Sequence, residues 1–417
     1  MSTTDSLNTG THGIAHARHK QRIPLTARAF LRALEQLQHG QLVVHTPDGR
    51  HLSFGRASAD GSAPAHLAIA DWRACGKVLS GGDIGFAEAL RDGWVDSADL
   101  TALLRLAIAN EQVVAKLVHS SGFAGLVHRI RHLLNRNSKA GSKRNIHAHY
   151  DLGNDFYRLW LDSTWTYSSA LFAGDFSLPL ASAQHRKYQR IIDVLRLRPG
   201  QRVLEIGCGW GGFAEYAAAR GIHVHGITVS RAQLEFAHER IRRAGLDGLA
   251  KLEFRDYRDL TGTYDAAVSI EMFEAVGEQY WPGYFDTVAA RLAPGGEALI
   301  QSITIDDAQF EHYRRGTDFI QQFIFPGGML PAPTRFRCEA GKAGLSTLES
   351  FAFGKDYAET LRRWRSGFEA TLNEVRALGF DEPFIRIWRL YLAYCEAGFD
   401  SGRTDVMHFH LRKAATS

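Results

Sequence analysis

A glycine-rich segment is the part of this sequence whose residue types and spacing best suit a bound ligand. The apolar run 203–206 predicts a buried strand, and a helical pattern begins soon after it. Between the two lie Gly207, Gly209, Gly211 and Gly212. Glycine permits a tight turn and lets a ligand approach the backbone, while the first helical amides face that ligand. The spacing is GxGxGG, whereas dinucleotide-binding loops have GxGxxG, so the segment predicts a cofactor site of another kind.

Polar residues follow two further predicted strands. The second strand ends in Thr228, with Ser230 and Gln233 close behind it in the chain. Asp256 lies just past the third strand. An aspartate at such a place could contact a ligand, or it could cap a helix, because Asp is favoured at helix N-termini.

The elements around these residues alternate between helices and short apolar strands from 185 to 306. This alternation is typical of helices on both faces of a parallel sheet. The fold class expected is α/β, with a doubly wound, mostly parallel, Rossmann-like sheet and a smaller mixed α/β domain at the N-terminus. In that smaller domain, 41–54 predicts a β-hairpin around Pro47-Asp-Gly49.

Local composition divides the chain into regions. Residues 1–22 are polar and are expected to form a disordered arm. A small domain is expected at 23–120, and a large α/β domain at 147–413. Between them, 121–146 is expected to form an amphipathic helix and a basic linker. That helix could pack into a core, or it could rest a basic face on anionic lipid.

The overall composition is that of a globular protein and argues against several other classes of protein. The chain has 417 residues and a net charge of +4, which is too weak to indicate nucleic-acid binding. The four cysteines form no CxxC pair and the histidines lack ligand spacing, so no metal site is predicted. No apolar run reaches the roughly 18 residues of a spanning helix, and the N-terminus has no signal-peptide pattern. We therefore expect a cytoplasmic protein.

Glu205 and Trp210, which flank the glycines, resemble residues of the class I S-adenosylmethionine-dependent methyltransferases. That resemblance implies that Glu205 contacts the methionine end of the cofactor and that Asp256 reads its adenine edge. Many of those enzymes have an acidic residue where this chain has Thr228 and its neighbours. The cofactor-binding residues implied are Tyr167, Ser168, Glu205, Gly207, Gly209, Gly211, Thr228, Ser230, Gln233, Asp256, Tyr257 and Arg258.

From about residue 145 to 413 the sequence resembles the cyclopropane fatty acid synthases and cyclopropane mycolic acid synthases. Several separate segments carry this resemblance, which makes it far more specific than a glycine loop. They are 149–156, 167–172, 203–212, 254–260, 271–277 (Glu-Met-Phe-Glu-Ala-Val-Gly), 324–331, 357–361 and 391–399. Residues 24–118 resemble, more weakly, the lipid-binding domain of the bacterial phospholipid enzymes.

The resemblance implies a reaction in which a cis alkene of an acyl chain attacks the methyl group of the sulfonium cofactor. A carbocation results, and a bound bicarbonate takes a proton from the new methyl group as the ring closes. The residues implied around that anion are Glu274, Ser169, Gln301, Ile303 and Tyr357, and Cys395 matches a cysteine that is often catalytic in the family. Ser169 stands where the family has cysteine, and Gln301 where it has histidine. These departures could keep the anion, or they could redirect the reaction to a methylene- or methyl-branched chain.

Structural alternatives stay open for three of these residues. Glu274 could be a helix-start carboxylate, and Tyr357 a partly buried aromatic residue. Cys395 could be a packing residue, because the mechanism needs no thiolate and free cysteine prefers burial.

The leading hypothesis is a C-methyltransferase acting on unsaturated acyl chains of membrane phospholipids, bound peripherally to the membrane and with a homodimer left open. It predicts an apolar slot built partly from Phe323, Phe325, Trp364, Phe368, Trp388 and Tyr391, although these could be simple core. The alternatives are an N- or O-methyltransferase for a soluble metabolite and a lipid-binding protein with a relic cofactor fold. The intact glycine loop argues against the last of these.

Overall fold

Two packed α/β regions are visible in the computed structural model, which describes residues 23–57, 61–118 and 152–415. The arm expected at 1–22 and the helix and linker expected at 121–146 lie outside the described residues. Within the described ranges, no helix has the length and apolar character needed to span a bilayer.

The N-terminal region is built on a four-stranded sheet of order β2-β1-β3-β4. Its elements are α1 (Leu25–Leu34), β1 (Gln41–His45), β2 (His51–Gly55), β3 (Ala65–Ile69), α2 (Arg73–Arg91), β4 (Val95–Asp96), α3 (Leu100–Ala109) and α4 (Glu111–Val118). Strands β1 and β2 pair antiparallel, and the Thr46 amide donates to the Arg50 carbonyl at 2.9 Å across their turn. The predicted hairpin is confirmed. Strand β3 alternates buried and exposed residues, because only one face of this sheet covers a core.

The larger region has a seven-stranded sheet of order β10-β11-β9-β8-β5-β6-β7. The strands are β5 (Arg202–Ile206), β6 (His223–Thr228), β7 (Ala250–Phe254), β8 (Tyr264–Ile270), β9 (Leu292–Ile305), β10 (Leu345–Ala352) and β11 (Thr404–Lys413). Neighbours among β5 to β9 pair parallel, and β11 runs antiparallel to both β9 and β10. Four of the five residues of β5 are buried, as expected for a strand covered on both faces. The expected α/β fold class is confirmed.

Helices cover this sheet and link its strands. They are α5 (Asn154–Arg158), α6 (Leu180–Val194), α7 (Gly212–Ala218), α8 (Arg231–Arg243), α9 (Trp281–Arg291), α10 (Asp307–Tyr313), α11 (Phe319–Phe323), α12 (Pro333–Lys342), α13 (Gly354–Ala370), α14 (Leu372–Ala377) and α15 (Glu382–Ser401). Short 3-10 helices lie at 257–259, 273–275 and 278–280.

One hydrophobic core continues from the N-terminal region into the larger one. It is rich in aromatic rings that meet edge-on or tilted, the favourable geometry for such pairs. Phe156 is fully buried, and its ring centroid lies 5.0 Å from that of Trp388 and 4.8 Å from that of Phe380. Helices α2 and α3 contact α15, so the N-terminal region packs directly on that helix.

Candidate active site

The glycine segment forms the turn from β5 into α7. Gly207 has a φ of 88°, and Gly211, the N-cap of α7, has a φ of 79°. Glycine adopts such angles without the steric cost that other residues meet. A β-carbon at Gly209 would find no atom of the described residues within 4 Å. The backbone at Gly209 is therefore open to a ligand.

Glu205 lies on β5, just before the glycines, and is 3% exposed. Burial raises the pKa of its carboxyl to about 8, against the opposing charge of Arg240. Its Oε2 atom accepts no hydrogen bond from the described part of the chain. A buried carboxylate oxygen without a donor is costly, so Glu205 is suited to a cationic group of a ligand.

Thr228, Ser230 and Gln233 are buried together where β6 ends and α8 begins. Ser230 caps α8, because its Oγ accepts from the Gln233 amide at 3.4 Å. The Ser230 amide donates to Thr228 Oγ1 at 3.2 Å. This places all three at the carboxyl edge of the sheet, beside the glycine turn, where ligands of such folds bind.

Asp256 is the N-cap of the 3-10 helix at 257–259. It accepts from the Arg258 amide at 3.0 Å and from the Arg258 guanidinium at 2.8 and 2.6 Å. Asp256 therefore acts as a helix cap in this structure. A role toward adenine stays a prediction. Next to it, the Tyr257 ring packs edge-on against Tyr284 at 5.5 Å.

Glu271 was not among the predicted site residues. Its carboxylate accepts hydrogen bonds from three of the residues expected around the anion. Its Oε1 accepts from the Ser169 amide at 2.9 Å and from Gln301 Nε2 at 2.7 Å. Its Oε2 accepts from the Tyr357 hydroxyl at 2.7 Å. Ser169 contributes its backbone, since its Oγ donates to the Ala170 carbonyl. Burial raises the pKa of Tyr357 well above its ordinary value, so the hydroxyl stays protonated and can donate.

Three neighbouring strands place Gln301 against this carboxylate. Gln301 lies on β9, in register with Ile270 of β8 and His408 of β11. The Glu271 amide, directly after β8, donates to the Gln301 carbonyl at 2.9 Å. His408 Nε2 lies 2.8 Å from Gln301 Oε1, and burial lowers the His408 pKa well below its ordinary value. A neutral His408 that donates here leaves the amide nitrogen of Gln301 facing Glu271.

Helix α13 places Ser169 and Tyr357 together. The stretch that contains Ser169 has no regular hydrogen-bonded partner strand, so its buried amides need other acceptors. The Ala170 amide donates to Thr360 Oγ1 at 3.1 Å, and the Phe172 amide donates to Asp356 Oδ2 at 2.7 Å. Both acceptors lie on α13, one turn or less from Tyr357.

Glu274 bonds to residues of β9. Its Oε1 accepts from the Ile303 amide and, at 3.0 Å, from Ser302 Oγ. Burial, and secondarily the charge of Glu271, raise its pKa to about 8. Glu274 thus ties the turn after β8 to β9. That Glu274 and the three donors surround one anion stays a prediction, and in this structure those donors bond to Glu271.

Lys187 is a second site residue that sequence reasoning missed. It is fully buried on α6, and its Nζ donates to Ser168 Oγ at 2.6 Å. Burial lowers its pKa to about 7, and the negative charge of Glu271 opposes that shift. A lysine one helical turn from Ala183 and Ile191, both apolar and buried, was the signal that could have revealed it.

Tyr167 contacts α15, and Cys395 lies on that helix. The Tyr167 hydroxyl is 2.7 Å from that of Tyr391, which joins the loop before Ser168 to α15. Cys395 packs against the aromatic core one turn further along α15. Burial raises the pKa of its thiol, which disfavours the reactive thiolate. These contacts agree with the packing alternative for Cys395.

The aromatic residues expected to line an apolar slot divide into two groups. Trp364, Phe368, Trp388 and Tyr391 are buried in the shared core, whereas Phe323 and Phe325 are only partly buried against it. A groove of about 410 Å³ opens elsewhere, between the segment 171–176 and the edge of β10 and α13, and its lining includes none of the predicted site residues. The slot stays a prediction.

Comparison with known proteins places the chain in a family. Residues 137–409 match the family described as mycolic acid cyclopropane synthetase. The tuberculostearic acid methyltransferase of Mycobacterium tuberculosis is 40% identical over 338 residues, 79% of each chain. The cyclopropane-fatty-acyl-phospholipid synthase of Escherichia coli is 34% identical over 353 residues, 84% of this chain and 88% of that protein. The chain belongs to the mycolic acid cyclopropane synthetase family.

A solved structure agrees with this assignment. A mycolic acid cyclopropane synthase in complex with SAH and CTAB superposes with a TM-score of 0.61 at 30% identity, over 65% of this chain and 98% of that one. As a member of the family, the chain is an S-adenosylmethionine-dependent methyltransferase of the fatty-acid-modifying type.

The site fits S-adenosylmethionine but fits bicarbonate poorly. The unpartnered Glu205 oxygen and the open backbone at Gly209 are what a ligand with an ammonium group needs. For bicarbonate, the donors expected to bind it are already bonded to Glu271. No metal-binding group of His, Cys, Asp and Glu occurs among the described residues.

Proposed function

We propose that this methyltransferase transfers a methyl group from S-adenosylmethionine to the cis double bond of an unsaturated acyl chain in a membrane phospholipid. The product is a cyclopropane or, through a hydride shift before proton loss, a methylene-branched chain. The enzyme works at the cytoplasmic face of the membrane, to which it binds peripherally.

The observation that carries this proposal is a buried carboxylate set in an aromatic environment close to the cofactor turn. An alkene becomes a carbocation when it accepts a methyl group, and that cation needs negative charge and a proton acceptor but no water. Tyr357 links the carboxylate of Glu271 to the rings around it. Its ring centroid lies 6.1 Å from that of Trp364, which lies 5.2 Å from that of Tyr167. Aromatic faces stabilise cations in such surroundings.

Alignment lengths favour a phospholipid acyl chain. A cyclopropane mycolic acid synthase of M. tuberculosis covers 64% of this chain and 96% of its own length. The alignment with the E. coli phospholipid synthase covers 84% of this chain. An alignment of that length cannot fit between residue 137 and the C-terminus, so it includes part of the N-terminal region. That shared region supports a common substrate class.

Contacts between the two regions support a joint role. Glu396 on α15, 1% exposed, accepts from Thr101 Oγ1 on α3 at 3.2 Å and pairs with Arg105 of the same helix at 3.3 Å. It also pairs with Arg362 and Arg365 of α13 at 3.2 and 3.0 Å. The N-terminal region is thus fastened to the two helices that carry Tyr357, Tyr391 and Cys395.

The test is methyl transfer to lipid vesicles. The purified protein is incubated with deuteromethyl S-adenosylmethionine and vesicles of dioleoyl phosphatidylglycerol, and the lipids are analysed by mass spectrometry and NMR. We expect acyl chains that gain one carbon with two deuterons, and NMR distinguishes a ring from an exocyclic methylene. Vesicles of saturated lipid are the control and should gain nothing.

Two outcomes would contradict the proposal. One is cofactor turnover without any mass gain on the unsaturated chains. The other is equal turnover on a soluble acceptor without vesicles, which would favour an N- or O-methyltransferase.

A further inference from the structure

The carboxylate of Glu271 is held as a bound anion would be held. It has a backbone donor from Ser169, an amide donor from Gln301 and a hydroxyl donor from Tyr357, at 2.9, 2.7 and 2.7 Å. Carboxylate and bicarbonate present the same planar pair of oxygens. The three donors bind both oxygens of Glu271, which is how buried anions are stabilised.

We propose that Glu271 is the proton acceptor of this enzyme and replaces a bound bicarbonate, so that catalysis needs no bicarbonate. The inference rests on the proposed function, because it assigns the base for that reaction. It concerns a residue three positions before the carboxylate that the family resemblance indicates.

A second anion has no place in this arrangement. The expected donors are occupied, and the adjacent carboxyl of Glu274 already interacts unfavourably with the charge of Glu271. Burial raises the pKa of Glu271, and the positive charge of Lys187 is the largest influence that lowers it. Like charges placed together in a buried site disfavour each other's ionised form, so an added bicarbonate would raise the free energy of the site.

The backbone places Glu271 in this position. Its φ is 49°, in the left-handed region that residues other than glycine rarely adopt. Strain of this kind persists where the surrounding structure fixes it and is concentrated at functional sites. The amide of Glu271 donates to the Gln301 carbonyl, and the side chain of Gln301 donates back to the carboxylate. One residue thus fixes both ends of Glu271.

The reaction balances with Glu271 as base. A bond forms between the methyl carbon and one alkene carbon, and the electrons of the broken S–CH3 bond stay on sulfur. The other alkene carbon becomes a cation. Glu271 then takes a proton from the methyl group, and the C–H electron pair closes the ring. Alternatively, after a hydride shift, that pair forms the exocyclic double bond. Burial raises the pKa of Glu271, which makes it a stronger base than an exposed glutamate.

The experiment combines removal of bicarbonate with substitution of Glu271. Turnover on dioleoyl vesicles is measured in carbon-dioxide-free buffer and after bicarbonate is added back. We expect no change for the wild type. Glu271→Gln should lose about a hundredfold or more in turnover, the usual contribution of a general base, while calorimetry finds cofactor binding intact. Glu311→Gln, on an exposed helix, is the control for the loss of one carboxylate.

Replacement of Glu271 by glycine gives a more specific test of the proposal. Glu271→Gly should fold, because glycine favours the observed φ, and it leaves the three donors free. We expect it to lose turnover in carbon-dioxide-free buffer and to regain part of it, saturably, with bicarbonate. Carbon-13 NMR of labelled bicarbonate should detect binding to this variant and none to the wild type.

Bicarbonate dependence of the wild type, labelled bicarbonate bound by the wild type, or full activity of Glu271→Gln would each overturn the inference. If the wild type modifies no lipid under any condition, the proposed function fails. The NMR comparison still decides whether Glu271 occupies the place of the anion.

Discussion

Cofactor binding is expected to be linked to ionisation of Glu205. Its carboxyl has a pKa of about 8 in the protein without ligand, because it is buried. The ammonium group of the cofactor's methionine part favours the ionised form, so binding should release a proton. A charge-assisted hydrogen bond contributes about 2 kcal/mol, equivalent to roughly 1.5 pKa units at 1.36 kcal/mol per unit. The pKa in the complex should therefore lie near 6.5.

This linkage fixes the direction and size of a pH effect. The lower pKa in the complex means that affinity rises with pH, by about eightfold between pH 6.5 and 8. Titration calorimetry at pH 6, 7 and 8 in buffers of different ionisation enthalpy measures both the affinity and the proton released. Glu205→Gln should bind about fifteenfold more weakly than the wild type at pH 8, and hardly more weakly at pH 6. A wild-type affinity that is constant across this range, with no proton release, would refute the assignment.

Three further changes separate chemical from structural roles. Ser169→Cys should keep most turnover, since its backbone amide, not its hydroxyl, bonds to Glu271; initial rates check this, and a large loss would show that the hydroxyl matters. Lys187→Met removes a cation that lowers the pKa of Glu271, so the rising limb of the kcat–pH profile should move to higher pH with cofactor affinity unchanged; an unmoved profile would contradict the coupling. Glu396→Ala should lower the free energy of unfolding in urea by about 2–3 kcal/mol, because it leaves three half-exposed arginines without their buried acceptor. The exposed Glu382→Ala is its control and should cost below about 1 kcal/mol.

Much of the fold, and the glycine turn after β5, could be predicted from local sequence patterns. The second predicted strand ends at Thr228, where β6 ends in the structure. Strand β5 begins one residue earlier than the predicted 203–206. A buried parallel strand is a continuous apolar run, and a glycine turn is a local necessity, so both can be read from adjacent residues.

Most residues of the candidate site were predicted, but the hydrogen bonds between them were not. Ser169, Gln301 and Tyr357 were named from resemblance, and the structure brings all three together. Their common partner, Glu271, was missed because the resemblance indicated Glu274, which lies three residues further along the same turn. Lys187 was missed because a charged residue on a helix is normally assigned to solvent.

The α/β class, the glycine turn and the identity of most polar groups near it could be predicted, because these depend on residues that are neighbours in the chain. Which carboxylate accepts from the donors depends on how distant segments pack together. Those donors lie 102, 30 and 86 residues from Glu271. They meet it only because β8, β9 and β11 are adjacent in the sheet and α13 packs beside them. Hydrogen bonds act over about 3 Å, so no spacing along the chain could reveal that meeting.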